Sequence, residues 1–369
     1  MINPLLLDIL NVQSHSYECE RMQDFIFDHV CKIEGILVDF DKAGNIYVTK
    51  GTSDTYPCIV SHMDTVHKIL PDGHYKVIHD DEHAFAYNPI LKELTGVGGD
   101  DKVGIYICLQ MLNELDYCKV AFFVDEEVGC IGSGDADMSF FRDVRFVLQC
   151  DRKGNADFVY NILGSDLYGE EFFNDIINII PKYGYSEHTG GLTDVYTLSE
   201  NGVGVAVANM SCGYYNPHSD DEIVCIKDVE NCMNMVYEIM TSCTKVYKYE
   251  MPKKSYSTWW KDGGNGVAYY DSNKKSSNEF TKGWTKDDYD DWYGYNDSYV
   301  GKSDDKWDGW EYKNGKYVKS YGNGYMDCWD CGGFYPTNDI NMHGLCPGCT
   351  DYHEEVSRDI NSKSNARLF

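Results

Sequence analysis

The 369-residue sequence is 43% hydrophobic and 25% charged, and its 60 Asp and Glu against 32 Lys and Arg give a formal charge of −28. The composition is that of a soluble globular protein, and so negative a chain repels polyphosphate, which argues against nucleic acid and anionic membrane as partners. The acidity is concentrated at the front: residues 1–250 hold 17 basic and 41 acidic side chains, residues 251–369 hold 15 and 19. No apolar run approaches the roughly 20 residues of a membrane span. The opening MINPLLLDIL lacks the basic residue that would mark a secretory signal. Eleven of the fifteen cysteines are scattered through residues 19–243 among apolar neighbours, as in PCIVSH and IYICLQML. They read as reduced, buried thiols, so the expected compartment is the cytoplasm.

Along the chain, a capped amphipathic stretch at 17–34 precedes strand-like NIYVTK (45–50) and CIVSH (58–62). A helical run at 101–115, strands KVAFFVD (119–125) and VRFVLQCD (144–151), and a helix around 167–181 follow. Strand GVGVAVAN (202–209) and a closing helix around 227–246 complete the region. Strands alternating with helices predict a three-layer α/β/α domain over residues 1–250.

All seven tryptophans lie beyond residue 250, and residues 251–327 are rich in Tyr, Trp, Gly, Asp, Asn and Lys with almost no aliphatic side chains. Such a segment has too little Leu, Ile and Val for an ordinary core. It reads either as a poorly ordered linker or short aromatic hairpins, or as an aromatic surface for a partner or sugar.

Chemistry-bearing residues cluster after the strands. CIVSH runs into SHMDTV, placing His62 and Asp64 just past a strand's carboxyl end, where open α/β sheets build their sites. A carboxylate two residues from an imidazole suits it to orient that ring. TGVGGDDKVGIY delivers Asp100 and Asp101 on a glycine-rich turn; without GxxxxGK[ST], and with two acids that repel phosphate, the turn suits a cation. VAFFVD ends in Asp125, Glu126 and Glu127, and three adjacent acids at an apolar strand end are costly unless solvated, protonated or metal-bound. VRFVLQC ends in Asp151, and His218 follows the Asn-Pro turn of CGYYNPHSDDEIV.

Taken together, these motifs over about residues 3–245 resemble the co-catalytic zinc exopeptidases, the clan of tripeptidase T, the HxDTV carboxypeptidase and deacylase relatives, and the zinc aminopeptidases. LLLDILNVQSHSYECERMQDFI and the GN of DKAGNIYV resemble that family's first helix and strands. The resemblance implies a mixed central sheet and two catalytic zinc ions, with cobalt or manganese also suited to so oxygen-rich a site. It implies His62 and Asp151 as ligands of one zinc, Glu127 and His218 of the other, and Asp100 as the bridge. Asp64 would orient His62, and Glu126 would be the general base toward a zinc-bridged hydroxide. The implied activity is hydrolysis of small peptides, of aminopeptidase or di/tripeptidase type. N-acyl amino acid deacylation on the same site is the alternative, and from another class, a non-catalytic binding protein acting through the C-terminal segment.

Two features depart from the family. Only 67 positions separate Asp151 from His218, so no lid domain is inserted there. GGLTDV resembles the GGTDA-type substrate loop but carries an additional Leu192 and lacks the preceding Arg. Gly190, Gly191, Asp194 and His188 are its candidate substrate contacts, with Asp194 equally able to anchor its own turn. For a substrate amine, Asp101, Asp125 and Asp194 are candidates. His67, His74, His79 and His83 read as surface residues.

Cys328-x-x-Cys331 and Cys346-x-x-Cys349, fourteen residues apart, match a tetrahedral thiolate site for one structural zinc. This ribbon-like segment, 328–369, would fold only with its metal. Around the cysteines CWDCGGFYPTNDINMHGLCPGCTDYHEE has no Lys or Arg, which disfavours DNA and favours a protein partner or oligomer contact.

Overall fold

The computed structural model describes residues 2–251 in full and, beyond them, the backbones of six short strands. The chain divides into two compact units, Met1–Lys254 and Ser255–Phe369.

In the first unit α1 (Pro4–Asn11) and α2 (Glu20–Val30) precede β1 (Ile36–Phe40), β2 (Ile46–Lys50) and β3 (Tyr56–His62). Next come β4 (Lys76–His79), β5 (His83–Asn88), β6 (Glu93–Thr95), α3 (Gly99–Glu114), β7 (Cys118–Phe123), α4 (Ile131–Gly134) and β8 (Val144–Gln149). The last part holds β9 (Asp157–Ile162), β10 (Ser165–Asp166), α5 (Glu170–Ile176), a 3-10 turn at Ile180–Tyr183, β11 (Ser186–Gly190), α6 (Asp194–Glu200) and β12 (Val207–Met210). β13 (Tyr214–Tyr215), β14 (Ile223–Cys225) and α7 (Ile226–Ser242) close the unit.

A nine-stranded mixed sheet runs β1-β2-β7-β3-β8-β12-β9-β10, with β11 added beside β9. Its centre, β7-β3-β8-β12, is parallel. β3, β7 and β8 are buried along their whole length, as strands covered on both faces must be, and so appear in the sequence as unbroken apolar runs. Helix α3 is buried on almost every side, which is why VGIYICLQML lacks a polar stripe. The result is a three-layer α/β/α unit, with α3 against β3 and β7 and α6 against β3, β8 and β12. Parallel order puts the ends of β3, β7 and β8 on one edge, together with the start of α3.

Several local expectations are corrected. α2 begins at Glu20, with Cys19 at its N-cap making no side-chain capping bond, while Ser16 donates its hydroxyl to Asp64. The helix expected at 167–181 stops at Ile176 and gives way to the 3-10 turn, where Pro181 cannot continue an α-helical ladder. β12 starts only at Val207, after Gly202 and Gly204 take positive φ. A five-stranded antiparallel sheet, β13-β14-β5-β4 with β6 beside β5, was not anticipated. Residues 151–218 hold several strands and two helices rather than one of each, yet no further domain among the described residues.

The eleven cysteines of this unit are free thiols, nine of them buried; Cys31 is exposed and Cys225 half-buried. No helix among the described residues is long and apolar enough to cross a membrane.

In the second unit, β15 (Ser255–Ser257) pairs antiparallel with β16 (Ala268–Tyr270), β17 (Trp310–Lys313) with β18 (Lys316–Lys319), and β19 (Tyr325–Asp327) with β20 (Phe334–Pro336). Cys328, Cys331, Cys346 and Cys349, and with them the expected zinc ribbon, lie outside the described residues.

Candidate metal centre

The edge where the parallel strands end gathers the acids and histidines that the motifs singled out. β3 terminates in His62, whose ring is 1% exposed. Its Nδ1 lies 3.0 Å from the backbone carbonyl of Asp64 and 3.4 Å from that residue's carboxylate. A proton on Nδ1 donated to that carbonyl leaves Nε2 as a bare acceptor. Buried and without a hydrogen-bond partner, Nε2 faces Asp100 at 3.3 Å, Asp151 at 3.7 Å and Glu126 at 4.0 Å. An acceptor aimed at three acceptors is stable only with a proton or a cation between them.

Asp100 stands between the two histidines. Its Oδ1 faces His62 Nε2 and its Oδ2 faces His218 Nε2, each at 3.3 Å. His218 also approaches Glu127 at 3.0 Å. Ligand atoms of His62, Asp100 and Glu127 all lie within 4.8 Å of one another. Asp101 comes within the same distance of His62 and Asp151, but its carboxylate already accepts from Ser61 Oγ at 2.6 Å and the Gly104 N–H at 3.0 Å. Asp100 is therefore the acid left to serve the centre, and the two adjacent residues are joined by a cis peptide.

Neighbours hold the ligands in place. Asp151 accepts from Thr193 Oγ1 at 2.8 Å, Gln149 Nε2 at 3.0 Å and the Tyr214 hydroxyl at 3.2 Å. Asn209 pairs with its backbone in both directions. Asp64 accepts from Ser16 at 2.7 Å and from the backbone N–H groups of Glu126 and Glu127 at 2.9 and 3.3 Å, so it fixes the Glu126-Glu127 turn as well as the His62 segment.

Proton affinities express the crowding of acids. Burial, with the carboxylates of Asp151, Asp194 and Glu127 around it, raises Glu126 well above its ordinary range despite nearby His62. Burial and then Asp100 push Glu127 up to about 7, and the same two causes raise Asp151. Burial opposes ionisation of Asp100 too, yet His218 and His62 pull its pKa down. His218 is raised to about 11, chiefly by Asp100 and then Glu127. So many carboxylates beside two imidazoles call for added positive charge, and the donor set of imidazole nitrogen and carboxylate oxygen suits zinc, with cobalt or manganese as substitutes.

The substrate-loop candidates are placed differently. Asp194 is fully buried at the start of α6 and receives Gln149 Nε2 at 3.1 Å; burial raises it to about 7. Gly190 packs on Val159, where a Cβ would lie 2.8 Å from a methyl group, while Gly191 faces open space. His188 is exposed and lies 3.5 Å from Arg152, which pairs with Asp157 at 2.7 Å. Of the acids considered for a substrate amine, Asp101 and Asp194 are buried and turned into the protein. Asp125 is half-buried and accepts the Tyr17 N–H at 2.6 Å.

Sequence reasoning missed Glu222. Completely buried, it accepts from the Gly98 N–H at 2.6 Å, the Asp100 N–H at 3.1 Å and His67 Nε2 at 2.9 Å. His67, expected on the surface, is only 18% exposed and serves this carboxylate. The available signal was Glu222 lying four residues after His218 in HSDDE. Thr193, Tyr214 and Ser16 were missed as well.

No protein-family model matches the sequence, and no curated protein is significantly similar to it. Solved structures do match. A tripeptidase from Staphylococcus aureus aligns over 65% of this chain and 96% of its own, at 16% identity and a TM-score of 0.51. An aminopeptidase from the archaeon Desulfurococcus kamchatkensis aligns over 66% and 94%, at 15% identity and a TM-score of 0.50. A TET aminopeptidase from a marine-sediment thaumarchaeote aligns over 64% and 95%, at 15% and 0.50. This chain is thus similar in fold to solved tripeptidase and aminopeptidase structures, with its cluster of histidines and acids at the carboxyl ends of the parallel strands.

Proposed function

We propose that the protein is a metal-dependent exopeptidase that hydrolyses small peptides with two cations, zinc in the first instance. The observation that carries this reading is Asp100, which turns one carboxylate oxygen to each of two histidines at equal distance. His62 and Asp151 would hold one cation, His218 and Glu127 the other, and Asp100 both. When bound, the pair would supply Lewis acidity toward a substrate carbonyl and would acidify a water shared between them.

Glu126 sits beside these ligands without being needed as one. Its raised proton affinity suits it to accept a proton from the attacking water and return it to the departing amine. Asp64 holds the Glu126 backbone and the His62 segment, keeping base and ligand in register. Tyr214, Thr193 and Gln149 fix the Asp151 carboxylate so that little reorganisation accompanies the reaction. The names of the similar structures, tripeptidase and aminopeptidase, support small peptides over N-acyl amino acids as substrates.

The test is hydrolysis of a panel of free-amine peptides and N-acyl amino acids, with and without chelator. Chelator-sensitive cleavage of the peptides is expected. Cleavage confined to N-acyl amino acids, or cleavage indifferent to metal removal, would overturn the reading.

A further inference from the structure

Three segments that carry ligands meet at one buried carboxylate outside the ligand set. Glu222 lies in the segment after His218, His67 in the segment after His62, and Gly98 and Asp100 on the turn that brings the bridging acid. We propose that Glu222, clamped by His67, is a positioning residue that holds the Asp100 turn where its two oxygens face the two histidines; this rests on the two-cation reading given above.

Burying a carboxylate is costly, because the charge gives up its water. Here the cost is offset by two backbone N–H groups and one imidazole, all within 3.1 Å. The two N–H groups belong to residues 98 and 100, so Glu222 grips the turn on both sides of Gly99. Gly98 takes φ +67, a left-handed conformation that this grip fixes. The neighbouring Gly96 lies so near the His67 ring that a Cβ there would come within 1.9 Å of it, so the imidazole is seated against the turn itself. Buried Lys102 donates to the Val97 carbonyl at 2.9 Å and secures the near side. A carboxylate is the one side chain of this length that accepts from all three donors at once. Glutamine would set its own N–H₂ against one of them.

The clamp is tested on the full chain with Glu222→Gln, Glu222→Asp and His67→Phe. Amide hydrogen exchange reads the turn independently of any metal, and zinc titration against a competing chelator reads the centre. In Glu222→Gln, exchange at residues 96–101 is expected to accelerate while core strands such as β3 and β8 stay protected. Zinc affinity is expected to fall by about 10- to 100-fold, the range for residues that orient ligands. His67→Phe is expected to show the same pattern more weakly, and Glu222→Asp to recover part of the affinity. Wild-type exchange at 96–101 together with wild-type zinc affinity in Glu222→Gln would overturn the clamp. So would faster exchange with unchanged affinity, because Glu222 would then stabilise the turn without positioning the ligand. If the wild-type chain takes up zinc here but cleaves no peptide, the functional reading fails and the clamp is still decided by these two measurements.

Discussion

His62 and His218 face the same carboxylate at the same 3.3 Å, yet one side chain is 1% exposed and the other 53%. His62 ends a fully buried strand, its ring is fixed by the Asp64 carbonyl, and its partner Asp151 accepts three side-chain hydrogen bonds. His218 projects from a loop, has φ +62, and meets Glu127, whose Oε1 has no hydrogen-bond partner. A ligand already held in position loses little freedom when it binds a cation, whereas an exposed loop residue must be ordered. The His62 half should therefore bind tightly and exchange slowly, and the His218 half should bind more weakly and lie nearer to solvent.

The largest effect is expected from a change that spares both halves. Glu126→Gln should lower kcat by about 10²- to 10⁴-fold with metal content unchanged, because it removes the proton carrier and no ligand. Steady-state kinetics with elemental analysis of the same sample checks this, and comparable loss of metal and rate would remove Glu126 from the role. The asymmetry itself is tested by His62→Ala against His218→Ala. The first should strip the tighter cation and all activity, while the second should leave one tightly held cation. Equal metal retention in the two variants would break the comparison.

Smaller effects should distinguish the supports. Thr193→Val and Tyr214→Phe each remove one donor to Asp151, and each is expected to weaken the tighter cation by about 10-fold while leaving the weaker one alone. Competition with a chromogenic chelator separates the two affinities. Weakening confined to the His218 cation would reassign Asp151.

Much of this arrangement was legible because unbroken apolar runs mark buried parallel strands. Residues that end such a strand or follow it within three positions land on the site edge, as His62, Glu126 and Asp151 do. The small sheet was not legible. Its strands, such as Glu93–Thr95 and Tyr214–Tyr215, are too short to show a period, and the pairing that joins its two halves, β14 with β5, spans more than a hundred residues. Glu222 and His67 were hidden for the same reason, since 155 positions separate them and neither stands at the end of an apolar strand. The loop GGLTDV was read for Asp194, but the hydroxyl of Thr193 is what touches a candidate ligand. A side chain's neighbour across the fold leaves no trace in local spacing.

The most direct test of the two-cation centre is the zinc content of the full chain compared with Asp100→Asn, which keeps the shape of the bridge and removes its charge. Subtracting one from the other leaves out any metal bound elsewhere in the chain. A wild-type excess of about two zinc ions per chain, with the variant folded and inactive, is the result expected of a bridged pair. An excess of one would mean that Asp100 serves a single cation, and no difference would contradict the centre altogether.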